Sequence, residues 1–345
     1  MVLAVSLQIG ACAGPQAPAR PGSAGQAGGS PSPRPAADGI PTPAQAMRLV
    51  EFPVPAGAGP HDVAPAHDGG VWFTAQTAGY LGHLDPRSGA VTRVPLGAGS
   101  QPHGVITAQD GAVWITDGGL NALVRVDANT RQVSRFPLPS NRAGAGLNTA
   151  TFGRDGVLWF TGQRGGVYGR LDPRTGDMRI YDAPGGPGPY GISTTPGGDV
   201  YYASLAGNYV GRIDPASGRA TVIRPPTPEL GPRRVWSDSR GRLWVSEWNT
   251  GKLGRYDPAN GEWREWRAPG ERPQLYAVYV DDRDVAWATD FGANQLLRFD
   301  PATEQFDAIQ LPGPAANVRQ LLGRPGQLLG AASGLDRLLI VQTSA

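Results

Sequence analysis

From residue 47 onward the apolar positions fall into short runs cut off by Asp-Gly, Asp-Pro and Gly-rich punctuation, the pattern of strands joined by tight turns. The clearest stretch begins Gln101, Pro102, His103, Gly104, Val105, turns at Asp110 and Gly111, and returns through Val113, Trp114, Ile115, Thr116 to Asp117. It reads as a strand, a hairpin turn and a second strand built around a tryptophan. The phrase recurs: Trp72, Trp114, Trp159, Tyr201, Trp244, Trp287 and Leu328 hold one position, spaced 42, 45, 42, 43, 43 and 41 residues apart. A period of that length made only of strands and turns predicts an all-β fold, a seven-bladed β-propeller over residues 47–345.

Each unit holds four strands. The first follows a Pro-His-Gly-like phrase, and the second carries the aromatic, which repetition marks as packing between blades. The third resembles Val210 to Asp214 and the fourth Ser134 to Leu138, with an Asp-Pro-x-x-Gly turn between them, as from Asp172 to Gly176. The last unit ends after a third-type strand, Leu335 to Gln342, and an orphan strand, Arg48 to Phe52, precedes the first unit. Residues 48–52 are therefore expected to pair into the last blade and close the ring, which protects its edges.

Composition changes this picture at one end only. Residues 13–46 are mostly Pro, Ala, Gly and Ser, a composition that cannot offset its ordering entropy and predicts a flexible tether. Ahead of it, residues 1–12 form a short apolar run ending in Ile9, Gly10, Ala11 and Cys12, which resembles a bacterial lipoprotein signal with Cys12 as the lipidated residue. That predicts an exported periplasmic or cell-envelope protein, held to a membrane only through its lipid. Cys12 is the sole cysteine, so packing alone must hold the fold. The net charge of +2, with one lysine and no basic run, leaves no footprint for nucleic acid, and the closed ring predicts a monomer.

In a propeller the inner strands begin around one mouth of the channel. Eleven residues before each aromatic position stand His61, His103, Asn148, Tyr190, Arg233, Tyr276 and Asn317, all able to hydrogen-bond, as a small-molecule site requires. Asp117, Glu247 and Asp290 recur three residues after the aromatic, as carboxylates suited to Mg²⁺ or Ca²⁺ or to ties between blades. His61 and His103 occupy equivalent places in adjacent blades and should lie together, where a neutral imidazole can act as a base. His67 and His83 are expected on the surface.

The phrases Pro-His-Gly, Asp-Gly-x-Val-Trp-Phe-Thr, Gly-Arg-Ile-Asp and Phe-Pro-Leu-Pro resemble those of the virginiamycin B lyase (streptogramin lyase) family over residues 48–345. That resemblance implies a propeller opening a lactone by Mg²⁺-assisted elimination. It implies His103 as catalytic base, His61 as its companion, and Asp117 with Gln101 as metal ligands. Asn148, Tyr190, Arg233, Tyr276 and Asn317 would then line the substrate pocket. Gln101 stands where the family carries Glu, and the His pair lies in the first two blades rather than the last. The family's tyrosine in the following blade is Asn148 here, with Tyr190 one blade further on. The residues leave two alternatives open. One is a Ca²⁺-dependent lactonase using Glu247, Asp290, Asn148 and Asn317, and the other is a non-catalytic envelope propeller binding a peptide, sugar or similar ligand.

Overall fold

The computed structural model describes residues 47–343, so the signal, Cys12 and the tether lie outside the described residues. Among these residues the chain forms twenty-eight strands and one short 3₁₀ turn, Ser140–Arg142. The strands make seven antiparallel four-stranded sheets, and six of them are consecutive meanders. The seventh is composite. Leu49–Pro53 hydrogen-bonds along Arg337–Gln342 in register from Leu49 opposite Val341 to Pro53 opposite Arg337, closing the ring as expected.

The core lies between blades. Trp72 packs among Val105, Ile115 and Val124 of the next blade, Trp114 against Leu147 and Phe160, and Trp244 against Val278 and Ala288. All six aromatics of the repeat are essentially sealed from water, and at roughly 25 cal/mol per Å² of apolar surface these seams dominate the folding energy. His83 is buried too, contrary to expectation. Its ring lies 4.5 Å from that of Trp72, with Nε2 3.2 Å from the Asp68 carboxylate, whereas His67 is exposed.

Register corrects the seventh repeat. In blade 1 Ala64 faces Trp72, and in blade 7 Leu322 faces Leu329. Leu329 packs toward blade 1 as each tryptophan packs toward its successor, while Leu328 packs back toward Trp287. The seventh hairpin is one residue shorter, so the repeat position belongs to Leu329. Its channel-mouth counterpart is Arg319, not Asn317.

The inner strands share a further irregularity. In each blade the register slips near the strand's start, as between Pro60 and Val63, or Pro232 and Val235. An extra residue there is a β-bulge, which kinks the strand and re-aims side chains. In five of the blades a hydroxyl one strand over stabilises it. Thr116 Oγ1 accepts from the Gly104 N–H in its own blade (2.8 Å) and donates to the Asn148 carbonyl of the next (2.5 Å). Thr74 does the same between Asp62 and His103, Thr161 between Thr149 and Tyr190, and Ser246 between Arg234 and Tyr276. The hydroxyl ladder thus ties the backbone of one channel-mouth residue to that of the next.

Replacing Thr116 by Val keeps the shape but leaves a buried N–H and a buried carbonyl unpaired. We expect a loss of about 2–3 kcal/mol, read as a lowered urea midpoint at unchanged slope. An unchanged midpoint would show that the ladder adds nothing to stability.

Candidate functional site at the channel mouth

The bulges explain why the mouth carries more chemistry than strict alternation allows. Two consecutive residues of one inner strand reach the channel in blade 1, His61 and Asp62, and in blade 5, Arg233 and Arg234. Arg234, only 5% exposed, spans the channel. Its guanidinium donates to Asp62 of blade 1 at 3.0 and 3.3 Å and to Thr149 Oγ1 of blade 3 at 2.7 Å. Thr149 Oγ1 in turn donates to Asn148 Oδ1 at 2.9 Å, and Asp62 lies 2.8 Å from His61 Nδ1. One polar chain therefore crosses the axis from Asn148 to His61.

Above this plug stands the wall. The His61 and His103 rings lie 3.8 Å apart, and His103 meets Tyr190 edge-on at 6.1 Å. The Tyr190 and Tyr276 hydroxyls are hydrogen-bonded to each other. Arg233 lies 3.6 Å above the Tyr276 ring and 4.7 Å from those of Tyr190 and Trp248, and its guanidinium donates to the Tyr190 hydroxyl at 3.3 Å. Arg319 flanks Tyr276 and Phe291 at 5.7 and 5.8 Å, with Nε donating to Ser333 Oγ at 3.1 Å.

Electrostatics follow from this crowding. Burial, reinforced by Arg234, Arg319 and Arg233, holds His61 well below the ordinary imidazole range. Burial and His61 do the same to His103, although Asp62 opposes them, so both rings are neutral at pH 7. Burial pushes the Asp62 carboxyl up, against the pull of Arg234. Burial and Tyr276 raise the Tyr190 phenol to about 12. Burial also acts on Tyr276, but there Arg233 and Arg234 outweigh it and leave the phenol below its usual value.

The structure gathers His61, His103, Asn148, Tyr190, Arg233 and Tyr276 around one mouth. It does not bring Asn317 there. That residue precedes the inner strand Val318–Arg324 with φ of 53°, and a Cβ on Gly334 would lie 3.1 Å from its Nδ2. The carboxylates Asp117, Glu247 and Asp290 are fully buried and turned to their own blades. Asp117 accepts from Ser100 Oγ and from the N–H groups of Gln101, Gly119 and Leu120 at 2.5–3.0 Å. Asp290 accepts from the N–H groups of Gln274 and Gly292. Glu247 accepts from Thr250, while its second oxygen faces Gly254 without a partner. These bonds tie each blade to itself, rather than neighbouring blades to one another as the sequence allowed. Residues that sequence reasoning missed are Asp62, Arg234, Arg319, Trp248 and Phe291.

The donor set does not suit Mg²⁺. Asp117 has both oxygens committed and no exposure, and the Gln101 side chain points to solvent. His61, Asp62 and His103 could converge on one ion, with ligand atoms within 4.8 Å of one another. They offer two nitrogens, and the one carboxylate is already paired with Arg234, beside two more guanidinium groups. A hard cation prefers several free oxygens.

The far end of the channel is a different place. A cavity of about 1310 Å³ opens among the hairpin turns, lined by Trp236, Tyr279, Asp282 and Arg324. None of the mouth residues lines it.

A histidine pair, paired phenols and guanidinium groups thus share one channel mouth of a seven-bladed propeller. The virginiamycin B lyase family model matches residues 47–337, and the chain belongs to that family. Among solved structures it is similar to selenomethionine-substituted virginiamycin B lyase from Staphylococcus aureus, at 23% identity and TM-score 0.80, covering 86% of this chain and 100% of the other. A streptogramin B lyase structure matches at 24% identity and TM-score 0.78, covering 86% and 97%. A catalytically inactive variant of the S. aureus enzyme with quinupristin matches at 23% and 0.80, covering 86% and 100%. No curated protein matches the sequence.

Glu247 supplies a pH test of its surroundings. Burial, aided by Glu265 and opposed by the Thr250 bond, raises its carboxyl from 4.5 to about 7. The folded protein then binds more protons than the unfolded chain between those values, so stability falls as pH rises from about 4.5 to about 7 and levels off above. The drop should be about 3 kcal/mol. Glu247→Gln should flatten that slope and unfold later than the parent at pH 8. Parallel stability curves for the two proteins would refute the assignment.

Proposed function

We propose that this protein is a streptogramin lyase-like carbon–oxygen lyase that opens a small-molecule lactone or ester by general-base elimination at the His61–His103 mouth. The observation that carries the reading is the pair of neutral imidazoles, 3.8 Å apart, facing phenol and guanidinium donors. His103, only partly buried at the mouth and kept neutral by its surroundings, is the base: it takes the proton next to a carbonyl. His61 is oriented by Asp62 and sets the position of His103. Charge developing on the carbonyl oxygen meets guanidinium and phenol donors, which act as a fixed electrostatic stabiliser in a partly dry site. No step needs an ion at Asp117.

The test is product mass. Elimination from a lactone leaves the mass unchanged and creates an ultraviolet-absorbing double bond, whereas hydrolysis adds one water. The expected outcome over a panel of lactones and acyl esters is an unsaturated product, isomeric with the starting lactone or formed with release of the free acid from an ester, with the rate reduced roughly 10²–10⁴-fold in His103→Gln. Water addition would replace the lyase reading with a lactonase, and binding without turnover would make the protein a ligand-binding propeller.

A further inference from the structure

Arg234 has a counter-ion in Asp62, but the other two guanidinium groups of the mouth do not. Among the described residues neither Arg233 nor Arg319 lies within ion-pair distance of a carboxylate. Arg233 is held by π-faces on Tyr276, Tyr190 and Trp248, and its Nε is buried with no acceptor. Arg319 spends one N–H on Ser333 and rests beside Tyr276 and Phe291. Aromatic faces orient a cation but do not satisfy its N–H groups. Two such cations beside the Tyr276 ring carry charge that no carboxylate of the protein neutralises, the kind of site that takes up a planar carboxylate.

We propose that the substrate carries a free carboxylate, gripped by Arg233 and Arg319, and that the bond broken lies β to it. This rests on the lyase reading above and names the substrate class for it: a β-acyloxy or β-alkoxy acid. Neutralising the carboxylate lets its α-carbon release a proton, which a carboxylate in water resists because a second negative charge would build on the same group. His103 takes that proton. The C–H electrons form the new carbon–carbon double bond, the β carbon–oxygen bond breaks, and its electrons leave on oxygen. An acyloxy group departs as a carboxylate, and an alkoxy group takes a proton from the Tyr276 hydroxyl. Nothing is oxidised or reduced, and no further reactant is used. Arg233, stacked on Tyr276, serves both the grip and the acid.

The experiment compares β-acetoxybutyrate with its methyl ester on the full chain, by titration calorimetry and by following turnover. The same titrations are run on Arg319→Gln, on Arg233→Gln and with inorganic phosphate as ligand. Thermal unfolding of each variant confirms that it folds. The parent should bind the acid at least about tenfold more tightly than the ester, and Arg319→Gln should erase most of that preference. Arg233→Gln should do likewise and, through Tyr276, slow alkoxy more than acyloxy leaving groups. Equal binding of acid and ester, binding of neither at millimolar concentration, or a preference that survives both substitutions would overturn the proposal. Phosphate binding as tight as that of the acid would also overturn it, as a general anion site. The two readings fail separately. Tight acid binding without elimination removes the lyase and keeps the carboxylate grip, and elimination of the ester alone does the reverse.

Discussion

The Arg234–Asp62 pair is the interaction on which the functional end of this molecule depends. It joins blades 1 and 5 across the axis, reaches blade 3 through Thr149, and closes the channel beneath the histidines. A buried ion pair adds little net stability over an apolar replacement, but losing one partner leaves an uncompensated charge and costs about 3–5 kcal/mol. Its value here is positional. Asp62 fixes His61 through Nδ1, the His61 ring packs against that of His103, and the positive charge of Arg234 helps keep both rings neutral. A bulge in each inner strand makes this geometry available, and Thr and Ser hydroxyls tie the bulged backbones together across four of the seven seams.

That dependence separates what could be read in the chain from what could not. The period of Trp72, Trp114 and their counterparts is a packing constraint, because each must fill the seam to the next blade. Blade number, strand order and ring closure were therefore legible. So were His61, His103, Asn148, Tyr190, Arg233 and Tyr276, since equivalent positions in a closed ring converge. Asp62 and Arg234 were hidden because alternation sends neighbouring residues to opposite faces, and only a bulge turns both inward. A regular bulge leaves no mark in a run such as Pro232, Arg233, Arg234, Val235. Arg319 was hidden by a hairpin one residue short, which moved the count onto Asn317 and Leu328. Asp117 and Asp290 carry a legible signal that was open to two meanings: the carboxylate before a Gly-containing turn accepts the turn's own N–H groups.

The mouth differs in kind from a cation site. Its free charges are guanidinium groups, its carboxylate is neutralised within the protein, and its hydroxyls are phenols held in an aromatic box. Gln101, standing where the family carries an acid, belongs to the same shift in charge. Membership of the virginiamycin B lyase family fixes the scaffold.

Ring closure has a consequence in time. The strand Leu49–Pro53 is the earliest of the described chain to be synthesised, and its partner Arg337–Gln342 is the latest. Blades 1 to 6 can pack on one another in turn as they are made, but the circle waits for contacts nearly the whole domain apart, which are slow to form. Arg234 and Asp62 face each other across an axis that the completed circle defines. A nascent chain thus holds its histidines before it holds their setting, and the mouth is complete only when the last strand docks on the first.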